Sequence, residues 1–241
     1  MAARLLTISV PWCRREPVIV EGVLLGGSVG TSRARDVLRQ AIVRGEFAPG
    51  QRLVAAELAQ SVRVTRGCVR QALPELTAEG LIDPGRGGNA RVRRISTGRL
   101  VEILECLRVL EALQARRAAV RASEDERRRL RALGERMAEA ANRADPVGFT
   151  ALSRDLHDMI AALAAQATAA GLVARLTAQI ARHRFRHPLR PRRLAAAEHH
   201  AIIAAITEGL PDAAEHATGV HIGSIIAEIT EQQQKEPLCL Q

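Results

Sequence analysis

The chain has 241 residues, 47% of them hydrophobic, which is enough for two domains that each bury a core. Thirty-five Lys and Arg against 26 Asp and Glu leave a formal net charge of +9, so the natural partner is a polyanion. Aromatics make up only 2% and Tyr is absent, which disfavours stacking platforms for single strands and leaves duplex nucleic acid.

No apolar run serves as a membrane span, because the longest, Ile160 to Ala174, is interrupted by Gln166, Thr168 and Gly171. Cys13, Cys68, Cys106 and Cys239 show no paired spacing and suit a reducing cytoplasm as free, buried thiols. In chain order, residues 1–30 contain Pro11, Arg14, Arg15 and several glycines and read as a disordered extension. Val37, Leu38, Ala41 and Ile42 then recur at helical spacing, stopped by Gly45 and the turn at Pro49-Gly50. Leu53, Leu58 and Val62 supply the apolar face of a second helix. Thr65 caps a third that starts near Arg66 and buries Val69, Leu73 and Leu76. That spacing turns Thr65, Arg66 and Arg70 outward at the end a recognition helix presents to bases and phosphates. Pro74 in the helix interior costs about 3 kcal/mol and predicts a kink near Leu73. Leu81-Ile82 and Arg91-Val92 pair as strands around a glycine-rich, basic tip at 83–89. Residues 31–95 therefore form a winged helix-turn-helix.

Beyond Ile95 strand signals vanish, and breaks near Ser96-Thr97, Ala122-Ser123, Asp145-Pro146, Gly171, Pro188 to Pro191 and Gly209 to Pro211 delimit about six helices. Ser123 with Glu126 forms a capping box at one start. The fold class is mainly α, with an antiparallel helical bundle over 96–236 as the second domain. On the helix after Pro146 the inward stripe Phe149, Leu152, Leu156, Ile160 and Leu163 takes in His157 and Ser153. His199 shares a stripe with Ile202, Ile203 and Ile206, and His221 lines up with Ala214, Thr218 and Ile225. His200, His216 and Asp155 lie on other faces. Three helices each turn one imidazole inward, and three such rings need a shared partner for their buried nitrogens.

Gly45, Pro49-Gly50 and Leu53, followed by Thr65-Arg66-Gly67-Cys68-Val69-Arg70 and Glu79-Gly80-Leu81, resemble the DNA-binding half of the GntR family of bacterial transcription regulators. Arg108-Val109-Leu110-Glu111, Leu156-His157 with Ile160, Glu198-His199-Ala201-Ile202 and the run from Gly209 to Ile222 resemble the FCD ligand-binding domain of its FadR subfamily. The two likenesses span about residues 33–230. The resemblance implies DNA contacts at Thr65, Arg66, Arg70, Arg86 and Gly87. It also implies a divalent metal on His157, His199 and His221, and an effector arginine at Arg108. Two departures stand out: Gly67-Cys68 replaces the usual hydroxyl-bearing pair, and Ser153 stands where a ligating Asp is usual. Three neutral imidazoles still hold zinc or nickel with exogenous oxygen. The alternative is that the histidines bind an acidic effector directly, with Arg108 as its charged partner or in a surface ion pair with Glu105 or Glu111.

These features predict a cytoplasmic homodimer that is not an enzyme. It is a repressor on a double-stranded, palindromic operator, released by a small organic or amino acid effector that carries a carboxylate. A constitutive architectural DNA binder with an inert bundle, or a metal-dependent hydrolase, are the competing classes. The hydrolase lacks a carboxylate placed as general base.

Overall fold

The computed structural model describes residues 24–86, 89–184 and 192–235. It divides into two compact units, Met1–Ile95 and Ser96–Gln241. Most of the anticipated 1–30 extension, residues 1–23, lies outside the described residues, but its last part is ordered. Leu25 bridges Val64, with Leu25 N–H donating to Arg63 O (3.2 Å) and Thr65 N–H to Leu25 O (3.0 Å).

Helix α1 (Gly27–Val43) starts ten residues before the first apolar residue of the sequence pattern, Val37. Its buried stripe is Gly30, Ala34, Leu38, Ala41 and Ile42, and small residues in its first half conceal the periodicity. Gly30 is required there, because a β-carbon at that position would lie 2.7 Å from both Cys68 Sγ and Leu25 O. Strand β1 (Arg52–Leu53) corrects the assignment of Leu53 to the second helix: Leu53 sits in an edge strand paired with Ala90. Gly50, at φ +82°, makes the turn that leads into it.

Helix α2 (Ala55–Val62) buries Leu58 and Val62 and ends at Arg63 in the left-handed region, φ 59°. Helix α3 (Arg66–Ala78) is capped by Thr65, whose hydroxyl accepts from Cys68 N–H at 3.3 Å. It runs through Pro74 without interruption. The ring is exposed and therefore imposes no packing conflict, although proline has no N–H to bond back to the preceding turn. Strands β2 (Ile82–Pro84) and β3 (Ala90–Val92) complete an antiparallel sheet in the order β1-β3-β2. The wing strand begins at Ile82 rather than Leu81 and extends through Pro84, whose missing donor is harmless on an edge strand.

The second unit has six helices among the described residues: α4 (Thr97–Arg121), α5 (Glu124–Asn142), α6 (Pro146–Ala164), α7 (Ala167–Arg184), α8 (Arg192–Thr207) and α9 (Pro211–Lys235). The capping box at Ser123 and Glu126 is present on both sides. The α6–α7 break falls at Ala165-Gln166 and not at Gly171, which lies inside α7. Ala165 adopts φ 45°, and the Gln166 side chain accepts from Ala169 N–H at 2.8 Å, so a side-chain cap starts α7 before the glycine.

Helix α4 packs along α9, and α6, α7 and α8 also contact it, while α5 lies against α6 and α8. The core between them holds Leu130, Met137, Phe149, Leu156, Ile202 and Ile206. The part-buried Arg127 ties three helices together. Its guanidinium donates to Ala122 O (3.1 Å), Thr207 O (2.7 Å) and Ala119 O (3.4 Å), carbonyls that the ends of α4 and α8 leave without helical donors. Of the described thiols, Cys68 is buried as expected, whereas Cys106 is exposed on α4.

Candidate metal centre and recognition helix

His157 on α6, His199 on α8 and His221 on α9 meet inside the bundle, with one ligand nitrogen from each lying within 4.8 Å of the others. Ring centroids are 4.5 Å apart for His199 and His221, 5.7 Å for His157 and His199, and 5.9 Å for His157 and His221. Each ring arrives because it occupies the apolar stripe of its own helix. His199 and His221 are buried and His157 is partly buried, while His200 and His216 are exposed on the opposite faces.

Two carboxylates, the buried Glu111 and the partly buried Glu198, face the rings. His157 Nδ1 lies 3.0 Å from Glu111 Oε2, and His221 Nδ1 lies 2.8 Å from Glu198 Oε2. At His221 an Nδ1–H held by the Glu198 carboxylate leaves Nε2 as a lone pair, the usual outer partnership of a metal-binding imidazole. Ser153 Oγ is 3.3 Å from His199 Nε2, so the residue that replaces the usual Asp reaches the cluster as a neutral hydroxyl. Asp155 is exposed and offers no substitute. Burial pushes the His199 imidazole down to about 2, reinforced by its neighbours His221 and His157. Burial also lowers His221, against the opposing pull of Glu198. His199 and His221 therefore present unprotonated nitrogens to the cluster.

This donor set fits a divalent ion. Zinc–nitrogen bonds of about 2.05 Å in a tetrahedral arrangement put ligand nitrogens roughly 3.4 Å apart, so small rotamer changes from the 4.8 Å spread suffice. Sequence reasoning missed Glu111 and Glu198 as the groups that orient the rings. A signal for Glu111 was available, because an acid between Leu107 and Ala115 at four-residue spacing lies on a buried stripe of α4.

The cluster does not include Arg108, which is exposed on α4 and forms no ion pair among the described residues. The Glu111 partner considered for it belongs to His157. Beside His157 a cavity of about 10 Å³ is lined by Glu111, Gln114 and Thr218 among others, with no arginine in its wall among the described residues.

On the first unit, Arg66, Arg70 and Arg86 are exposed, and Thr65 is partly buried because its hydroxyl caps α3. Gly87 lies outside the described residues. Cys68 Sγ approaches Gly27 O at 3.5 Å, so the position that departs from the usual hydroxyl pair packs against the start of α1. A basic pair that the sequence did not reveal is Arg52 and Arg91, exposed register partners across β1 and β3. Two like charges facing each other disfavour pairing by themselves and suit a bound anion.

Among the described residues, no helix is long and apolar enough to cross a membrane. Residues 102–224 match the FCD domain family, and residues 31–92 match the bacterial regulatory proteins of the gntR family. A protein of Paenarthrobacter nicotinovorans named as a D-xylose utilization operon transcriptional repressor is 27% identical over 201 residues, covering 81% of this chain and 86% of that protein. The solved structure of Escherichia coli McbR/YncC superposes with a TM-score of 0.70 at 19% identity, covering 84% of this chain and 98% of the other. A GntR transcriptional regulator from Rhodococcus sp. RHA1 gives 0.63 at 24% identity, covering 85% and 99%. At these identities the structural likenesses speak to the fold alone.

Proposed function

Since this chain belongs to the gntR family of bacterial regulatory proteins and carries their FCD domain, we propose that it is a homodimeric repressor. Its operator affinity answers to a small molecule bound beside a metal ion on His157, His199 and His221. That it is a DNA-binding regulator of transcription follows from the family; repression, the effector and the metal are the further reading. The observation that carries it is the convergence of three imidazoles, two of them facing Glu111 and Glu198, in a bundle core that gains nothing from burying them alone. The relative named as a repressor of a D-xylose operon supports control of a catabolic operon as the role.

In this reading Arg66 and Arg70 on α3, capped by Thr65, meet bases and phosphates in the major groove of the operator. Arg86 and Gly87 carry the wing, and Arg52 and Arg91 add phosphate contacts. A bound metal supplies a Lewis-acidic anchor for effector oxygens, and the chain's own residues orient and desolvate that anchor. The effector shifts DNA affinity only by its preference for one bundle geometry over another. The absence of Arg108 from the cavity wall favours effector recognition through the metal and Gln114 rather than through an arginine.

The test is metal content after purification without chelator or affinity metal. Wild type carries about one zinc or nickel per chain, and His199→Ala carries none. Operator affinity is then compared with and without candidate effectors. A metal-free wild type whose operator affinity no effector changes supports the second reading, a constitutive architectural DNA binder. The Ser153–His199 contact is the feature that favours that reading, since it gives His199 a partner without metal.

A further inference from the structure

The cavity beside His157 carries an inference that rests on the effector reading above and goes past it to the chemistry of the ligand. Gln114 on α4 is 3% exposed, yet its Nε2 has no acceptor among the described residues. A buried amide donor left unpaired is costly, and its wall position points it at an occupant of the cavity. The other polar groups in that wall offer the opposite capacity. Thr218 Oγ1 spends its only hydrogen on Ala214 O at 2.8 Å and keeps its lone pairs. The Glu111 carboxylate, 7% exposed, faces His157 Nδ1 and is acceptor only when ionised. Apart from the His157 ring the remaining wall is aliphatic, including Ile160 and Ile202, and the space of about 10 Å³ admits roughly one oxygen-sized group.

The occupant must therefore accept one hydrogen bond and donate at least one. A carboxylate oxygen accepts from Gln114 but has nothing to donate, and it would lie against the Glu111 carboxylate. An ammonium group donates to Thr218 and Glu111 but meets the Gln114 N–H head-on. An alcohol hydroxyl meets both requirements: its oxygen accepts from Gln114 Nε2–H, and its proton goes to Thr218 Oγ1 or Glu111. We propose that Gln114 is a specificity-determining residue that selects an effector bearing an alcohol hydroxyl, as in sugars, polyols and hydroxy acids, over its deoxy counterpart. This refines the carboxylate expected from the sequence, because a carboxylate by itself does not fill this subsite.

The test is calorimetric titration of the full-length, zinc-loaded protein with matched pairs differing by one hydroxyl: L-malate and succinate, L-lactate and propionate, D-ribose and 2-deoxy-D-ribose. In wild type the hydroxylated member of at least one pair binds about 10- to 100-fold more tightly than its partner, the range set by leaving a buried donor unpaired. In Gln114→Leu, or in Gln114→Met if the leucine variant does not fold, that preference shrinks to within threefold while zinc content is unchanged. Equal binding of both members by wild type, or a preference that survives in the variant, overturns the proposal and leaves the effector reading standing. Equal binding with a lowered melting temperature in Gln114→Leu identifies an ordered water as the occupant, which also overturns it. Binding of no probe at all removes the effector reading, and this inference with it.

Discussion

Replacing His199 by leucine isolates the effect of one buried imidazole on the acid stability of the metal-free protein. In the folded chain the ring is 3% exposed and holds its pKa near 2, because burial and then His221 and His157 oppose a charge there. In the unfolded chain it titrates near 6.5. Between those values the unfolded state binds a proton that the folded state refuses, so stability rises with pH up to about 6.5 and is level above it. The loss at pH 5 relative to pH 7.5 is RT ln(1 + 10^1.5), about 2 kcal/mol from this residue alone, at a slope near 1.4 kcal/mol per pH unit. His221 adds in the same direction, since its pKa is also lowered. Urea unfolding of chelator-treated protein at pH 7.5 and 5.0 measures this. Wild type loses about 2 kcal/mol more than His199→Leu over that interval. Equal losses in the two proteins would refute the argument that His199 is buried neutral.

Other outcomes follow from particular contacts. Arg66→Ala and Arg70→Ala each reduce operator affinity, and a phosphate-contacting arginine also lowers the salt dependence by about one counterion, read by fluorescence anisotropy across salt concentrations. Arg127→Ala leaves the carbonyls of Ala119, Ala122 and Thr207 without that donor and costs about 2 to 3 kcal/mol in chemical denaturation; a change within 0.5 kcal/mol would show that water replaces the guanidinium. Gly30→Ala forces its methyl to within 2.7 Å of Leu25 O and Cys68 Sγ, so it destabilises the first unit by about 1 to 3 kcal/mol. Cys68→Ala in the same chain relieves only the sulfur part, since the backbone carbonyl remains. Both are read from melting curves of that unit's transition.

How legible each element was depended on how local its cause is. Helix α3, the Thr65 cap and the Ser123 capping box come from residues within one turn of one another, and they stood where pattern and capping chemistry put them, as did the Leu58 and Val62 part of α2. Helix α1 was read too short because its first half buries Gly30 and Ala34 rather than large apolar residues, and their burial depends on Cys68 and on residues 25–27 arriving from elsewhere in the chain. Strand β1 was unreadable for a similar reason. Two residues have no period, and only the approach of Ala90 and Arg91 makes them a strand. Gly171 looked like a break because glycine is a poor helix former, but the Gln166 side chain supplied a start signal just upstream that a glycine-based reading overlooks.

Periodicity within single helices was sufficient to say that His157, His199 and His221 each face inward, because which face of a helix is apolar is written in residues three and four apart. It was insufficient to say that the three rings share one point, or that Glu111 and Glu198 hold their outer nitrogens. Those relations join residues 22 to 64 positions apart and are set by how α4, α6, α8 and α9 pack. The same packing removed Arg108 from the cavity and left Gln114 in its wall, since both lie on one helix and only its rotation against the neighbours decides which side chain is enclosed. The sequence by itself thus determined the division into two units, the exposure of Arg66 and Arg70 on α3 and the identity of the inward imidazoles. Tertiary structure alone decided which polar groups meet around them, because a hydrogen bond or a ligand set depends on positions across helices and not along one.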